Sequence, residues 1–207
     1  IGREKEVQDE LDKYSQDKSR IEIVNADEVI ATEESPTAAI KNKKNSSMVI
    51  GLNLVKEGKA AAFISAGNTG ALLTGAVTII KRIKGVERPA LGTLMPMENG
   101  KSSLLIDAGA NVDAKPSFLV QFAKMGSVYM ENVMGVKNPK VGLINIGAEK
   151  EKGNTLTKET YELLEEADIN FVGNIEARDL FLGKVDVMVC DAFVGNVVLK
   201  FAEGFVG

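Results

Sequence analysis

Residues 60–71 read Ala-Ala-Ala-Phe-Ile-Ser-Ala-Gly-Asn-Thr-Gly-Ala, a short apolar run followed by a Gly-Asn-Thr-Gly turn and then by helix-forming residues. The pattern predicts a strand, a glycine turn and the start of a helix. We expect Gly67 and Gly70 to let the backbone adopt positive φ and approach a ligand closely. Because the first N–H groups of a helix lack intrahelical partners, an anion is the expected occupant. The alternative is a turn in which the glycines serve only a steric purpose, since a single Gly-x-x-Gly is a weak signal.

Alternating strand and helix signals extend from this segment in both directions. Before it, helices are predicted over 4–14, from Ser35-Pro36, and from Ser46-Ser47 to Gly58, with a strand at 21–24. The helix after the turn is predicted to bury Leu72, Leu73, Val77 and Ile80. Further strands are predicted at 103–106, 141–146, 169–172 and 185–190, alternating with helices that begin at Pro116 and after Asn154. Such alternation predicts an α/β fold of three α/β/α layers with a mostly parallel sheet, in one domain over residues 1–207.

The composition limits the classes of function. The 207 residues are 44% hydrophobic and 26% charged, which suits a globular chain with one sizeable core. Acidic residues outnumber basic ones by 29 to 25 and only 5% are aromatic, so no nucleic-acid partner is expected. The single cysteine, Cys190, excludes an internal disulfide and fits a reducing compartment. No apolar run approaches the length of a membrane span, and a cytoplasmic protein is predicted.

The sequence contains no histidine. Catalysis by Ser-His-Asp or Cys-His groups is therefore excluded, and the commonest metal ligand is missing. Since no Asp-x-Asp cluster or cysteine pair replaces it, no metal site is predicted. The turn at 67–70 matches neither Gly-x-Gly-x-x-Gly nor the lysine-bearing phosphate loop of NTPases, so no nucleotide cofactor is expected. Any chemistry must use carboxylates, lysine, hydroxyls, amides and helix ends.

Asparagine follows several of the predicted strands. The dipeptide Gly-Asn recurs at 67–68, 153–154, 173–174 and 195–196, and Ala110-Asn111 is similar. Because the carboxyl ends of parallel strands share one edge of a sheet, these loops are expected to face one crevice. Their amides would hold an oxyanion beside a carbonyl group. The alternative is that Gly and Asn only satisfy the backbone conformations of turns.

Two aspartates end apolar strands, and one region is strongly basic. Asp107 and Asp191 either orient a substrate group or cap the helices that follow them. The densest positive stretch comprises Lys81, Arg82, Lys84 and Arg88. It is interpreted as a solvated face or, in an acidic chain, as a patch for an acidic protein partner.

Five segments together resemble one family. They are Phe63-Ile-Ser-Ala-Gly-Asn-Thr-Gly-Ala-Leu72, Arg88-Pro-Ala-Leu91, Asp107-Ala-Gly-Ala-Asn-Val-Asp-Ala-Lys-Pro116, Phe171-Val-Gly-Asn-Ile-Glu-Ala-Arg-Asp179 and Val189-Cys-Asp-Ala-Phe-Val-Gly-Asn-Val197. They occur in order over nearly the whole chain, and the family is that of the bacterial phosphate acyltransferase PlsX, the fatty acid/phospholipid synthesis protein. The family's opening strand and loop and its helical C-terminal part are missing, so we expect a fragment truncated at both ends.

The resemblance implies transfer of a long-chain acyl group from acyl carrier protein to inorganic phosphate. The product, acyl phosphate, would serve a membrane glycerol-3-phosphate acyltransferase in phospholipid synthesis. The resemblance also implies a fold similar to phosphotransacetylase and to isocitrate and isopropylmalate dehydrogenases. A cytoplasmic homodimer that works close to the inner face of the membrane, without a cofactor, is implied as well.

Residue roles follow from the resemblance together with the motifs. The turn at 65–70 is predicted to contact phosphate through Ser65, Gly67, Asn68, Thr69 and Gly70. Asn111, Asn174 and Asn196 are predicted to line the site. Asn68, Asp107, Lys115 and Asp191 are predicted to serve catalysis, with the aspartates orienting the loops and Lys115 as an electrophilic aid. Two other functions stay open: phosphotransacetylase-like transfer from a short acyl-CoA, and a non-catalytic scaffold that binds carrier protein.

Overall fold

The computed structural model describes residues 1–14 and 17–206. The chain divides into two compact units, Ile1–Gly85 and Val86–Gly207. Each unit contains its own buried apolar side chains. Among the described residues, no helix combines the length and the apolar character needed to cross a membrane.

The first unit is helical. Its helices are α1 (Glu4–Leu11), α2 (Pro36–Asn42), α3 (Ser47–Lys56) and α4 (Thr69–Gly75), and a π-helical turn (Ala76–Ile80) continues α4. The predicted helix starts at Ser35-Pro36 and Ser46-Ser47 are confirmed. The Ser46 hydroxyl caps α3 by accepting from the Val49 N–H at 3.4 Å. The buried core of this unit consists of Ile40, Met48, Val49, Leu52 and Ala71.

Two strands predicted for the first unit are wrong. Residues 21–24 and 60–64 form no strand, and the described part of the unit has only isolated bridges, which pair Gly2 with Asn25 and Glu28 with Ser46. A strand needs a neighbour for its backbone N–H and C=O groups, and none lies beside 60–64 among the described residues of this unit. Ile64 is 93% exposed, so the apolar run is not buried as a sheet strand would be. The helix after the turn is confirmed, but Ile80 is exposed.

The second unit is built on a five-stranded sheet. Its strands lie in the spatial order β1-β2-β5-β3-β4. They are β1 (Gly92–Pro96), β2 (Ser102–Ile106), β3 (Lys140–Asn145), β4 (Asn170–Glu176) and β5 (Val187–Val189). The β1–β2 pair is antiparallel, and the other three pairs are parallel. The mostly parallel sheet predicted from the sequence is confirmed.

Helices cover both faces of this sheet. On one face, α5 (Pro116–Asn132) and α6 (Thr155–Glu165) pack on side chains such as Ile106 and Val189, and on the other face α7 (Ala192–Val206) packs on Leu105 and Met188. Neighbouring residues of a strand point to opposite faces, so β2 and β5 supply both layers of the core. The three-layer α/β/α arrangement thus holds within the second unit.

Two Gly-Asn pairs lie in regular elements, not in the predicted loops. Gly173-Asn174 falls inside β4, where the register with β3 shifts between Val141 and Leu143. Gly173 has φ of +97°, which suits a glycine at such a bulge. Gly195-Asn196 lies in the first turns of α7, because the helix begins directly after Asp191.

Helix α7 crosses the end of β2 at very short range. A Cβ atom placed on Gly195 would lie 1.9 Å from the backbone oxygen of Asp107. Only a glycine allows this approach, since the obstacle is backbone that cannot rotate away. Gly204, in the same helix, has no atom within 4 Å of the corresponding position.

We predict opposite effects of alanine at these two glycines. Gly195→Ala must displace α7 from the Asp107 backbone, and we expect the free energy of unfolding to fall by about 2–3 kcal/mol. Gly204→Ala meets no clash and gains helix propensity, so the free energy of unfolding should stay the same or rise by less than about 1 kcal/mol. Urea denaturation followed by circular dichroism measures both. Equal stability of the two variants would show that α7 does not pack closely on Asp107.

Candidate active site

The carboxylate of Asp107 is the centre of a buried hydrogen-bond group at the carboxyl end of β2. The residue is 0% exposed. Its Oδ1 accepts from the N–H groups of Leu91, Gly109 and Ala110 at 2.9–3.1 Å. Its Oδ2 accepts from the Asn111 N–H at 2.9 Å and from Asn111 Nδ2 at 2.7 Å. A buried charge is tolerated when donors surround it in this way, so Asp107 fixes the loop that follows β2.

Asn111 connects the Asp107 loop to two other segments. Its Nδ2 also donates to the Pro89 carbonyl at 2.8 Å, and the backbone carbonyl of Asn111 accepts from the Ala192 N–H at 3.0 Å. The second bond attaches the start of α7. Asn196 of α7 makes a longer hydrogen bond to the same loop, from its Nδ2 to the Ala108 carbonyl at 3.4 Å. Three of the residues predicted for the site, Asp107, Asn111 and Asn196, therefore belong to one group.

Asp191 caps α7. Its Oδ1 accepts from the N–H groups of Phe193 at 2.8 Å and Val194 at 3.0 Å. This is the capping alternative considered from the sequence, and it satisfies first-turn N–H groups of α7. Asp191 is only partly buried, however, and it also borders the cavity at this end of the sheet.

A cavity of about 500 Å³ lies at the carboxyl ends of β3 and β5. The chain leaves β3 towards α6 on one face of the sheet and leaves β5 towards α7 on the other face. Ligands of open α/β sheets bind in the crevice at such a switch point. The volume falls within the roughly 300–1,000 Å³ typical of small-molecule sites.

The cavity has an apolar wall and a polar rim. Apolar side chains line most of it, namely Leu119, Ile144, Ile146, Val194 and Val198. Ile146 is 81% exposed at the end of β3, an unusual place for a large apolar side chain. Asn145, Asn154, Thr157 and Asp191 supply the polar groups. Such a lining suits a hydrocarbon chain that carries a polar head.

Cys190 also lines the cavity, but it is not a candidate nucleophile. The residue is 2% exposed. Burial, and then the nearby charges of Asp191 and Asp107, raise the pKa of its thiol well above the ordinary value. The thiolate form is therefore disfavoured at neutral pH, and Cys190 serves as a small apolar packing residue.

The sequence pattern points to Asn154 but not to Asn145. Gly153-Asn154 is one of the dipeptides predicted to face a crevice, and Asn154 lines this cavity and caps α6 by accepting from the Thr157 N–H at 2.9 Å. Asn145 falls within a predicted strand, and its Nδ2 donates to the Lys152 carbonyl at 3.1 Å and holds the loop after β3. Conversely, Asn174 lies within β4 and donates to the Glu149 carbonyl at 2.9 Å.

The Gly-Asn-Thr-Gly turn belongs to the first unit, and Asn68 builds it. Asn68 Oδ1 accepts from the Ala71 N–H at 2.9 Å and so caps α4. Its Nδ2 lies within 3.3 Å of the carbonyl oxygens of Ala31, Thr32 and Glu34. Both the oxygen and the nitrogen of the Asn68 amide are thus hydrogen-bonded, and they join the turn to the segment before α2.

Close packing, and not positive φ, explains the glycine at position 70 of this turn. Neither Gly67 nor Gly70 has positive φ, contrary to the expectation from the sequence. A Cβ on Gly70 would lie 2.7 Å from the Pro36 ring, so Gly70 permits close packing on α2. Gly67 donates its N–H to Ser65 Oγ at 3.2 Å, and Thr69 is exposed. A cavity of about 590 Å³ borders Ser65 and Gly67.

Lys115 is exposed at the start of α5. It occupies the N-cap position, and no side chain caps this helix. Its Nζ lies 6.0 Å from the centre of the Phe118 ring, within the range of a cation–π contact. Four predicted residues of the second unit are connected by hydrogen bonds of their side chains or of neighbouring backbone groups, namely Asp107, Asn111, Asp191 and Asn196. Lys115 lies at the end of the loop that follows Asp107.

The sequence model of the family described as fatty acid synthesis protein matches residues 1–207. The chain belongs to the fatty acid synthesis protein family. The resemblance inferred from the five segments is therefore confirmed. Among curated relatives, a phosphate acyltransferase of Clostridium perfringens (strain ATCC 13124) is 59% identical over 98% of this chain. One of Acetivibrio thermocellus is 57% identical over 99% of this chain.

Both relatives are longer proteins, since this chain spans 60% of the length of each. Solved structures share the fold of this member of the fatty acid synthesis protein family. A phosphotransacetylase from Streptococcus pyogenes matches with a TM-score of 0.69 and 19% identity, covering 97% of this chain and 71% of that one. The EutD phosphotransacetylase from Staphylococcus aureus matches with a TM-score of 0.66 and 22% identity, covering 99% and 72%. The predicted likeness to the phosphotransacetylase fold is confirmed.

We predict that Asp107→Asn destabilises the second unit. An asparagine keeps one acceptor oxygen but turns an NH₂ group towards N–H donors, so at least one buried donor loses its partner. The free energy of unfolding should fall by about 3 kcal/mol. Asp113→Asn is the matched control, because Asp113 is an exposed residue of the same loop. Chemical denaturation measures both variants, and a shift below about 0.5 kcal/mol for Asp107→Asn would contradict the assigned role.

Proposed function

We propose that this chain catalyses the transfer of an acyl group from a thioester to inorganic phosphate, releasing a thiol and an acyl phosphate. The proposed donor is a long-chain acyl group on acyl carrier protein. The names of the curated relatives support the reaction. The apolar cavity with a polar rim, at the switch point of the second unit's sheet, is the observation that carries the proposal, because it suits an acyl chain attached to a polar reacting group.

The residue types in this chain suit this chemistry. A phosphate oxygen attacks the carbonyl carbon, a tetrahedral oxyanion forms, and the carbon–sulfur bond breaks to release a thiolate. Phosphate is already an anionic nucleophile, and a thiolate with an ordinary pKa near ~8.5 leaves without a strong general acid. The absence of histidine is no obstacle. The protein must hold the reactants and stabilise the oxyanion with backbone N–H groups, amides and a positive charge.

Each predicted site residue takes a role in this proposal. Ser65, Gly67, Thr69 and Gly70 contact phosphate, and Asn68 positions their turn through the bonds to Ala71 and to the segment before α2. Asp107 and Asp191 position the loops at the end of the sheet in the second unit. Asn111 and Asn196 hold the loop after β2, and Asn174 holds the loop after β3 through the Glu149 carbonyl. All three asparagines supply polar lining, and Lys115 supplies positive charge.

The cellular setting is part of the same proposal. We propose a cytoplasmic homodimer that works close to the inner face of the membrane and passes acyl phosphate to a membrane glycerol-3-phosphate acyltransferase. Acyl carrier protein and inorganic phosphate are its proposed partners. These assignments rest on the family to which the chain belongs.

Phosphate-dependent thiol release tests the function. The chain is incubated with palmitoyl acyl carrier protein or acetyl-CoA, with and without phosphate, and the full-length Clostridium perfringens relative is run in parallel. The proposal expects thiol release from palmitoyl carrier protein only when phosphate is present. Release from acetyl-CoA alone would instead support a phosphotransacetylase-like activity. Binding of carrier protein without turnover by either protein would support a scaffold.

We predict that Thr69 affects phosphate and not the acyl donor. Thr69→Val removes the exposed hydroxyl while keeping the side-chain shape, and the KM for phosphate should rise roughly tenfold, as expected for one hydrogen bond to a charged group. Thr69→Ser retains the hydroxyl and should keep a KM within about twofold of the original. Steady-state kinetics at saturating donor measures both. An unchanged phosphate KM in Thr69→Val would remove Thr69 from the phosphate site.

A further inference from the structure

A second cation, Arg88, contacts the same aromatic ring as Lys115. The guanidinium carbon of Arg88 is 5.9 Å from the centre of the Phe118 ring, and Lys115 Nζ is 6.0 Å from the same point. Both contacts fall within the range of cation–π interactions. Phe118 is 8% exposed, so the ring that holds the two cations is fixed in the core of the second unit.

The segment that carries Arg88 is held on two sides. On one side, Gln121 of α5 accepts from the Glu87 N–H at 2.8 Å and donates to its carboxylate at 3.0 Å. On the other side, the Pro89 carbonyl and the Leu91 N–H bond to Asn111 and Asp107. Arg88 is therefore positioned between α5 and the Asp107 loop by bonds that do not involve its own charge.

Among the residues that the structure describes, neither cation has an acidic partner. Within the described chain, Arg88 and Lys115 form no ion pair, although acidic residues outnumber basic ones in the sequence by 29 to 25. Lys115 also stands at the N-terminus of α5, where the helix dipole disfavours a positive charge. Both cations are exposed, so their charge is accessible to an anion from solvent.

Lys115 lies about one helical turn before a residue that lines the cavity at the carboxyl edge. That residue is Leu119, in the first turns of α5, and residues four apart lie on the same side of a helix. A group bound by Lys115 would therefore lie within reach of the acyl site, and neither cation belongs to its apolar wall. The thiol carriers used in acyl transfer have a phosphate ester at some distance from the sulfur, so one bound carrier could place its chain and its phosphate at these two positions.

We propose that Arg88 and Lys115 bind the phosphate ester of the thiol carrier that delivers the acyl group, an inference that rests on the proposed function. A guanidinium and an ammonium match a phosphate by charge-assisted hydrogen bonds. The same chemistry occurs in the phosphodiester of a carrier-protein arm and in the phosphates of coenzyme A. The site discriminates carriers that bear a phosphate from simple thiols. Arg88 acts on donor binding alone, and Lys115 also supplies the positive charge proposed for the reaction.

Donors that differ in phosphate content test this site. The test variants are Arg88→Gln and Lys115→Gln. The matched control is Lys124→Gln, which removes a positive charge from an exposed position of α5. Each is assayed with octanoyl thioesters of N-acetylcysteamine, phosphopantetheine, coenzyme A and acyl carrier protein. Only the first lacks a phosphate, and the last two distinguish a small carrier from a protein-bound arm.

We expect Arg88→Gln to raise the KM about tenfold for the phosphate-bearing donors, with kcat and the phosphate KM unchanged. Lys115→Gln should raise the same KM about tenfold and should also lower kcat with every donor, because Lys115 supplies positive charge to the reaction. The N-acetylcysteamine donor should show no change with Arg88→Gln, and Lys124→Gln should show no change with any donor. An equal effect of Arg88→Gln on the KM of all donors, a lower kcat in Arg88→Gln, or a higher KM of that variant for inorganic phosphate would overturn the assignment.

Direct binding separates this inference from the proposed reaction. Calorimetric titration of the chain with phosphopantetheine requires no turnover, and we expect about tenfold weaker binding to each Gln variant. If no donor is turned over but the Gln variants bind phosphopantetheine more weakly, the proposed reaction is contradicted and the proposed phosphate-ester site is supported. If the original chain turns over its donors but binds phosphopantetheine no better than the variants do, the proposed phosphate-ester site is contradicted and the proposed reaction is supported.

Discussion

The buried carboxylate of Asp107 is the constraint on which the site in the second unit depends. A charge without solvent is costly unless donors replace the water, and here backbone N–H groups and one amide do so. Those donors come from the loop after β2 and from Leu91. Collecting them around one side chain fixes the loop, the entry to β1, and the position of Asn111.

The consequences of this arrangement reach α7. The Asn111 backbone carbonyl accepts from the first N–H of α7, and Asp191 caps the same first turn. The helix then passes so close to Asp107 that only glycine fits at position 195. The other end of the same loop leads to Lys115 and the start of α5. A single buried charge thereby determines where two helices begin beside the cavity. The polar groups serve mainly to position these elements, and the cavity they surround is left apolar.

Sequence patterns predicted the second unit well because its strands bury both faces. Residues such as Leu104 to Ile106 and Val187 to Val189 form apolar runs of strand length, and helix signals such as Pro116 and Asn154 stand between them. The same reasoning failed at 60–64, since an apolar run does not reveal whether a neighbouring strand exists. It also failed for Gly67 and Gly70, which do not have the expected positive φ. Gly70 instead accommodates Pro36, which lies 34 residues away in the chain. Ile146 and Arg88 were missed because their significance depends on exposure and on a shared ring contact, which sequence spacing does not encode.

The central claim is that phosphate, and not water, attacks the acyl thioester. Mass spectrometry of the products formed from fully ¹⁸O-labelled phosphate tests it most directly. The account predicts an acyl phosphate that retains every labelled oxygen, with an unlabelled carbonyl oxygen, because the phosphate oxygen bonds to the carbonyl carbon. Free fatty acid that carries solvent oxygen, with no labelled acyl phosphate, would show hydrolysis and would contradict the account.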